Sequence, residues 1–416
     1  MGRIDNLIQQ YCPEGVEIDK VENIILSLKT GLNPRQNFKL NEPEATCYYV
    51  TGKEIYDNTI KYSDRTDRIT HKDVEIINKR ACLESNILLF ASTGTGTVGR
   101  MAAIGDYDGT WNVSETLYII KPNTSKVLLK FLMHSLYSEC CVKQYAPKIS
   151  RGSVPHLKVK DLLNIKISIP PLPVQEAIVE ILEKFDRLSA ELQAELQARK
   201  QQYEYYRNQL LTRFAPDQPV TEYSLGELGT ITRGNGLQKK DFTESGVGCI
   251  HYGQIYTRYK TFTEKTLTYV DESLAKKLLH VEKGDLVIAC TSENVEDVCK
   301  CVAWLGEDTI VTGGHACVYR HNQNPKYMAY FFQTDYFFQQ KKKYAYGAKV
   351  IDIKPDSIAK ITIPLPSLEE QARIVAILDK FEALVNDLSQ GLPAEIAAVQ
   401  EQYEYYRNKL LTFKSA

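Results

Sequence analysis

The chain has 416 residues, 51 Lys+Arg against 52 Asp+Glu, a formal net charge of −1 and 43% hydrophobic residues. That is the composition of a globular protein of two or three domains, and no run approaches the roughly 20 apolar residues that a membrane span requires. The 10 cysteines follow neither a paired framework nor metal spacing, and Met1 to Tyr11 has no apolar signal core, so a cytoplasmic chain without disulfides is expected.

The near-zero net charge conceals two basic stretches. Lys121 to Lys160 holds eight basic residues against Glu139 alone, and Arg320 to Lys354 holds seven against Asp335 and Asp352. Such stretches can form the electrostatic footprint of a nucleic-acid-binding face; lysine-rich solvated faces are the alternative.

In chain order, the first segment (1–168) opens with a glycine-containing turn, "KTGLNPR" (Lys29 to Arg35). An apolar strand then breaks into a small polar loop, "NILLFASTGT" (Asn86 to Thr95). Its continuation, Gly94-Thr95-Gly96-Thr97-Val98-Gly99, matches the G-x-G-x-x-G pattern of a dinucleotide loop. That loop must open a helix facing a pyrophosphate, whereas "VGRMAAIGDYDG" is short, glycine-broken and reads as a second strand. A strand "SETLYIIKP" (Ser114 to Pro122), a helix "LLKFLMHSLYSE" (Leu128 to Glu139) and the basic stretch from Tyr145 to Pro170 complete the segment.

"IPPLP" (Ile169 to Pro173) leads stiffly into a helix over 174–212. Leu182, Phe185, Leu192, Leu196, Tyr203, Tyr206 and Leu210 form a heptad-like seam broken at Ser189 and Arg199. The segment from Ala215 to Thr362 then repeats the earlier features in order: a polar turn "TRGNGLQKKDF" (Thr232 to Phe242), a strand and loop "DLVIACTSEN" (Asp285 to Asn294), a strand "GHACVYRH" (Gly314 to His321), an aromatic helix "KYMAYFFQTDYFFQQ" (Lys326 to Gln340) and a basic stretch from Tyr346 to Pro364. "IPLP" (Ile363 to Pro366) precedes a second seam through Leu378, Phe381, Val385 and Leu388, resuming at Ile396, Val399, Tyr403, Tyr406 and Leu410. Four extra residues near Gly391 and Pro393 should end one helix there and begin another.

The internal repeat organises the chain. "QQYEYYRNQLLT" (Gln201 to Thr212) recurs as "EQYEYYRNKLLT" (Glu401 to Thr412), and "IVEILEKFD" (Ile178 to Asp186) as "IVAILDKFE" (Ile374 to Glu382). The expected architecture is α+β with a pseudo-two-fold internal repeat. Two mixed α/β domains (1–168 and 215–362) are each followed by a long helix (169–214 and 363–416), and the helices pair as an antiparallel coiled coil. Leu182, Phe185, Leu192, Tyr203, Tyr206, Phe381, Tyr403 and Tyr406 are the expected packing residues.

The "IPPLPVQEAIVEIL" and "LPSLEEQARIVAIL" segments, the two "QYEYYRN" helix ends and a variable domain before each helix resemble the specificity subunit of bacterial type I restriction-modification enzymes. The resemblance spans the whole chain and rests on four motif copies in order. It implies that each variable domain is a target-recognition domain reading half of a bipartite, asymmetric site in double-stranded DNA. The helices would be the spacer and the dock for two methyltransferase subunits, joined by two restriction subunits with ATP-driven motors. The chain itself would be non-catalytic; S-adenosylmethionine, ATP and Mg2+ would belong to its partners. The tandem unit "AELQAELQ" (Ala190 to Gln197) would then set the gap between half-sites, each four-residue unit adding about 6 Å of helix.

Within the domains, forked or planar donors read bases, and basic or small polar groups hold phosphates. The candidates in the first domain are Ser92, Thr93, Thr95 and Arg100 around the glycine loop, with Lys148 and Arg151 as phosphate clamps. In the second they are Tyr252, Gln254, Tyr256 and Arg258 of "HYGQIYTRYK", Thr291, Ser292 and Asn294 of "CTSENVED", His315 of "TGGHA", and Arg233, Lys239 and Lys349. Gln254 suits a bidentate adenine contact, and Arg258 guanine or phosphate. Other classes fare worse. A methyltransferase would need an Asn/Asp-Pro-Pro-aromatic element, which "IPPL" lacks. A nuclease would need clustered carboxylates for Mg2+, and Cys299-Lys300-Cys301 has no second pair for zinc. A coiled-coil adaptor accounts for the helices but leaves two diverged domains with matched loops unexplained.

Overall fold

The computed structural model describes residues 2–215, 219–387 and 389–414. The chain forms two compact units, one of Met1–Glu191 with Ile396–Ala416 and one of Leu192–Glu395. Both contain sheets and helices.

The first unit is built on a four-stranded antiparallel sheet ordered Ile25–Thr30, Leu117–Pro122, Ile87–Ala91, Met101–Ile104. Ile87–Ala91 is buried along its whole length, which explains why it reads as an unbroken apolar run. In a second sheet, Cys47–Val50 pairs parallel to Trp111–Val113, and Ile18–Lys20 pairs antiparallel to Lys166–Ser168. The second unit repeats each feature. Gly229–Arg233, Ala316–His321, Leu286–Ala289 and Cys301–Trp304 stand in the same order, with Phe262–Thr263 added at the edge. Val247–Ile250 pairs parallel to Ile310–Thr312, and Thr221–Ser224 antiparallel to Thr362–Leu365. The repeat expected between the diverged segments is thus present in the four shared strands of the main sheet and in these two strand pairings.

The helix Leu172–Thr212 runs unbroken for 41 residues. The later seam is two helices, Leu368–Asn386 and Leu392–Leu410, broken where the four extra residues fall; Leu388 lies outside the described residues. A Cβ on Gly391 would sit 2.4 Å from the Ala383 carbonyl oxygen, so the tight join between the two helices leaves no room for a side chain there. In the first unit Phe185 stacks with Tyr406 at 5.7 Å between centroids and meets the tilted ring of Tyr403 at 6.0 Å. In the second, Tyr203 and Tyr206 stack with Phe381 at 6.4 and 5.6 Å. Each unit thus has its own aromatic contact between a stretch of the first long helix and one of the later pair. Leu182, Leu192, Tyr203 and Tyr403 are buried, while Tyr206 keeps 39% of its surface exposed.

The repeated motif does more than pair helices. Asn408 accepts the backbone N–H of Glu139 at 2.9 Å, at the start of the helix Glu139–Tyr145. Asn208 accepts that of Asp335 at 2.8 Å, at the start of the helix Asp335–Lys341. Each "YRN" therefore satisfies an orphan donor of a domain helix. Gln175 and Gln371, both fully buried, act at the other end. Gln175 accepts the Leu128 N–H and donates to the Lys126 and Pro170 carbonyls, and Gln371 accepts the Asn324 N–H and donates to Gln323 and the Pro366 carbonyl. Removing either amide would strand buried backbone groups at about 1–3 kcal/mol each.

The absence of disulfides expected from cysteine spacing is corrected at one place. Cys290 and Cys317, with Cα atoms 6.3 Å apart, are bonded to each other, and eight cysteines are free. Strand register brings the two together, since Ile288 faces Cys317 and Ala289 faces Ala316, a relation that sequence spacing does not carry.

His134 is wholly buried on the helix Leu129–Tyr137, where it meets the Tyr403 hydroxyl at 3.2 Å. Burial, with the charges of Arg407 and Lys130, pushes its pKa down to about 4. The folded form then binds fewer protons than the unfolded one between pH 6.5 and 4, so stability contributed by neutral His134 is full above 6.5 and is lost as pH falls toward 4. Urea denaturation between pH 7 and 4.5 should show this loss in the first unit, on the order of 3 kcal/mol at its limit. His134→Gln should flatten the slope; an unchanged slope would contradict the assignment.

Candidate nucleic-acid interface

The glycine loop is a turn between two antiparallel strands and opens no helix. Gly99 N–H donates to the Ala91 carbonyl and Ala91 N–H to that of Arg100, while Ser92 N–H donates to Thr116 and Leu157 N–H to Ser92. In the second unit Cys299 N–H donates to Ala289, Ala289 to Lys300, Cys290 to His315 and Ile353 to Cys290. The two frames match bond for bond: Ala91 corresponds to Ala289, Ser92 to Cys290, Thr116 to His315 and Leu157 to Ile353. The matched loop of the second unit has none of the three glycines, so the glycines serve the turn. Gly94 has φ +126°, and a Cβ there would lie 2.3 Å from the Thr97 Oγ1.

In the first unit the Ser92 hydroxyl is buried and donates to the Thr116 carbonyl at 2.8 Å. Thr93 forms an antiparallel bridge with His156 and shares a 2.8 Å hydrogen bond with its Nδ1. Gly94 N–H donates to the Pro155 carbonyl. The returning basic segment is thereby held against the glycine loop, with Lys148, Arg151 and Thr95 exposed. Arg100 is half-buried and donates to the Ile55 carbonyl at 3.3 Å. Neither Lys148 nor Arg151 forms an ion pair with a described residue.

The second unit divides its candidates between two places. Thr291 and Ser292 are buried and pair with Asp352 and Ile351. Thr291 Oγ1 lies 3.1 Å from the Nδ1 of the exposed His315. Tyr256 donates to the Thr291 carbonyl at 2.6 Å, and the Tyr252 ring lies 4.8 Å from that of His315. Arg233 donates to the Gly314 carbonyl at 3.1 Å and clasps both carboxylate oxygens of Asp352 at 3.1 and 2.5 Å. Burial alone would raise the Asp352 pKa, but the hydrogen bonds from Arg233 and Tyr346 and the guanidinium charge hold it below its ordinary value. Lys349 is exposed on the adjoining loop. Asn294 donates to Asp297 and accepts its N–H, closing a turn.

Lys239, Gln254 and Arg258 line a separate open groove of about 660 Å³ with Phe242, His251 and Thr268. Here Gln254 is already engaged: its Oε1 accepts the His251 N–H, and its Nε2 donates to the Thr268 hydroxyl at 3.2 Å. It caps the helix Tyr252–Thr257, and an adenine contact would have to displace those bonds. Lys239 and Arg258 are exposed. Sequence reasoning passed over His156, Asp352 and Tyr346. The signal for the first two was the alignment of "HLK" (His156 to Lys158) with "DIK" (Asp352 to Lys354), which places both opposite the threonine of each loop. Among the described residues no group of three or more His, Cys, Asp or Glu could hold a metal ion.

Two diverged copies of one domain, each closed by a copy of the same helix motif and each presenting a polar loop with basic residues, define a bipartite recognition protein. Residues 13–199 and 218–398 both match the family described as type I restriction modification DNA specificity domain, and the chain belongs to that family. A type I restriction enzyme specificity subunit of Escherichia coli is 29% identical over 74% of this chain and 76% of its own. A Haemophilus influenzae protein provisionally described as such a subunit is 26% identical over 99% of this chain and 98% of its own. Among solved structures, the HsdS subunit of Thermoanaerobacter tengcongensis superposes with a TM-score of 0.50 at 17% identity, covering 96% of this chain and 97% of that one. A chain from a structure of type I R-M complex assembly and conformational transition gives 0.59 at 17% identity, covering 96% and 98%. These likenesses bear on the fold. No helix of the described residues is long and apolar enough to cross a membrane.

If Lys148 and Arg151 meet phosphates, replacing both with alanine should weaken binding to every duplex alike and reduce the slope of log affinity against log salt by roughly 0.9 per lost contact. Fluorescence-anisotropy titrations of the complex at several salt concentrations check this; an unchanged slope would remove both residues from the interface.

Proposed function

We propose that this chain sets the DNA target of a type I restriction-modification complex, each unit reading one half of a gapped, asymmetric site. The observation that carries this reading is the shared loop frame with different contents: the same backbone bonds recur in both units, whereas the side chains mounted on them differ. One scaffold with two fillings suits two unlike half-sites, and pseudo-symmetric domains on a duplex address half-sites about one helical turn apart. Two methyltransferase subunits and two restriction subunits would dock on the chain, which would act in the cytoplasm. S-adenosylmethionine, ATP and Mg2+ would be bound by those partners. In this role the chain selects the sequence and leaves methyl transfer and cleavage to others. The loop residues from Ser92 to Arg100, the cluster around His315 and the groove around Arg258 are the surfaces through which it would do so, with Lys148, Arg151 and Lys349 as phosphate contacts.

Coexpression with the cognate methyltransferase subunit, followed by mapping of methylated bases across a test genome, checks the proposal. The expected outcome is a gapped, asymmetric adenine-methylation motif that disappears when this chain is omitted. Methylation indifferent to the omission, or a continuous palindrome, would refute it.

A further inference from the structure

The matched loop frames carry an unforeseen common element. At equivalent backbone positions, Thr93 and Thr291 each place a hydroxyl against the Nδ1 of a histidine, at 2.8 Å for His156 and 3.1 Å for His315. The two imidazoles come from different segments of the frame. His156 is Thr93's bridge partner, a position that Asp352 occupies in the second unit, and His315 stands where the first unit has Thr116. One threonine–imidazole pair is thus built twice from unlike positions.

Both rings are held from behind. Ser150 and His156 exchange backbone hydrogen bonds, the His156 N–H donating to Ser150 Oγ and the Ser150 N–H to the His156 carbonyl, each at 3.0 Å. His315 has the Tyr252 ring beside it, and its neighbour Gly314 accepts from Arg233, itself gripped by Asp352. Neither Nε2 has a hydrogen bond to a described residue, and His315 is exposed. A ring fixed at one nitrogen and open at the other is a single directional contact whose ordering cost is already met by the fold. With the hydroxyl donating to Nδ1, Nε2 carries the proton and suits an acceptor on a base edge, such as guanine O6 or N7.

We propose that Thr93–His156 and Thr291–His315 are the base-reading pairs of the two units, each imidazole contacting a base edge through Nε2 and each threonine positioning it. The proposal rests on the specificity reading above. The exposed Lys148 and Arg151 in one unit and Lys349 in the other take the phosphates and leave base reading to the imidazoles. Arg233 then acts as a positioning residue behind His315, with Asp352 as its anchor.

The test uses the complex of this chain with its methyltransferase subunit, by methylation mapping and by binding to duplexes altered in one half-site. His156→Ala should relax base preference by roughly 10-fold in one half only, and His315→Ala in the other half only. Thr93→Val and Thr291→Val, which keep the fold's volume, should reproduce the loss in the same halves, and serine at either position should restore it. His156→Gln and His315→Gln, whose amides reach near Nε2, should retain part of the preference. Equal weakening on all duplexes would make the rings phosphate contacts and overturn the proposal, as would an unchanged motif. If the wild-type motif itself did not depend on this chain, the specificity reading would fall first.

Discussion

Each unit is closed by a helix segment docked through side-chain amides onto domain backbone. The Asn408 carbonyl on the Glu139 N–H, and Asn208 on that of Asp335, fix where the aromatic seam meets the domain helices. Around this anchor Tyr403 reaches His134, and the Tyr330 hydroxyl lies between the Asp379 and Glu382 carboxylates, 2.7 and 2.6 Å from them. Lys130 pairs with Glu183, and Lys326 with Asp379, so the same positions are used twice with different chemistry: a histidine in one unit, a tyrosine in the other. Packing alone tolerates sliding between apolar helices, whereas a helix-terminal N–H held by one side-chain acceptor fixes the register. The loops that face outward inherit their placement from this lock.

That lock also explains why the "YRN" segment is the best preserved stretch between the halves. Tyr203 and Tyr403, three residues before the motif's own tyrosine, supply the buried seam; Arg207 and Arg407 lie over those rings at 5.1 and 5.2 Å, and Asn208 and Asn408 supply the amides. Substituting either asparagine would leave the first N–H of a domain helix without its side-chain acceptor. The outward loops face no such constraint, because their backbone bonds are independent of side-chain identity.

Much of this was legible in the sequence. The strand–loop–strand order of both domains, the aromatic seam and the helix break near Gly391 follow from apolar periodicity, glycine and proline positions and the repeat. What the sequence could not convey is which half of a continuous 41-residue helix belongs to which unit, because a stripe of leucine and tyrosine states that it will be covered and not by what. The candidate interface was legible by type and not by role. Arg233 and Gln254 have the side chains of base readers, yet a carboxylate 119 residues away and a backbone N–H three residues away engage them. His156, by contrast, lies in a basic stretch where lysines draw attention, and only the bridge to Thr93 gives it a role.

The "STGTGTVG" loop makes the general point. Its glycines match a nucleotide loop because both need backbone where a Cβ would collide, but the collision differs. A dinucleotide loop clears space for a pyrophosphate at a helix start; here Gly94 clears space for Thr97 in a turn between strands. The matched loop of the second unit achieves the same return with Cys299 at φ +67° where the first has Gly99 at +89°, at the backbone cost that a non-glycine residue bears in that region. A ligand-binding requirement would have preserved the glycines in both halves. A requirement only for the return of the strand leaves the residues free to vary, and a scaffold that stays fixed while its surface varies is what a protein needs if its target is to change without its fold changing.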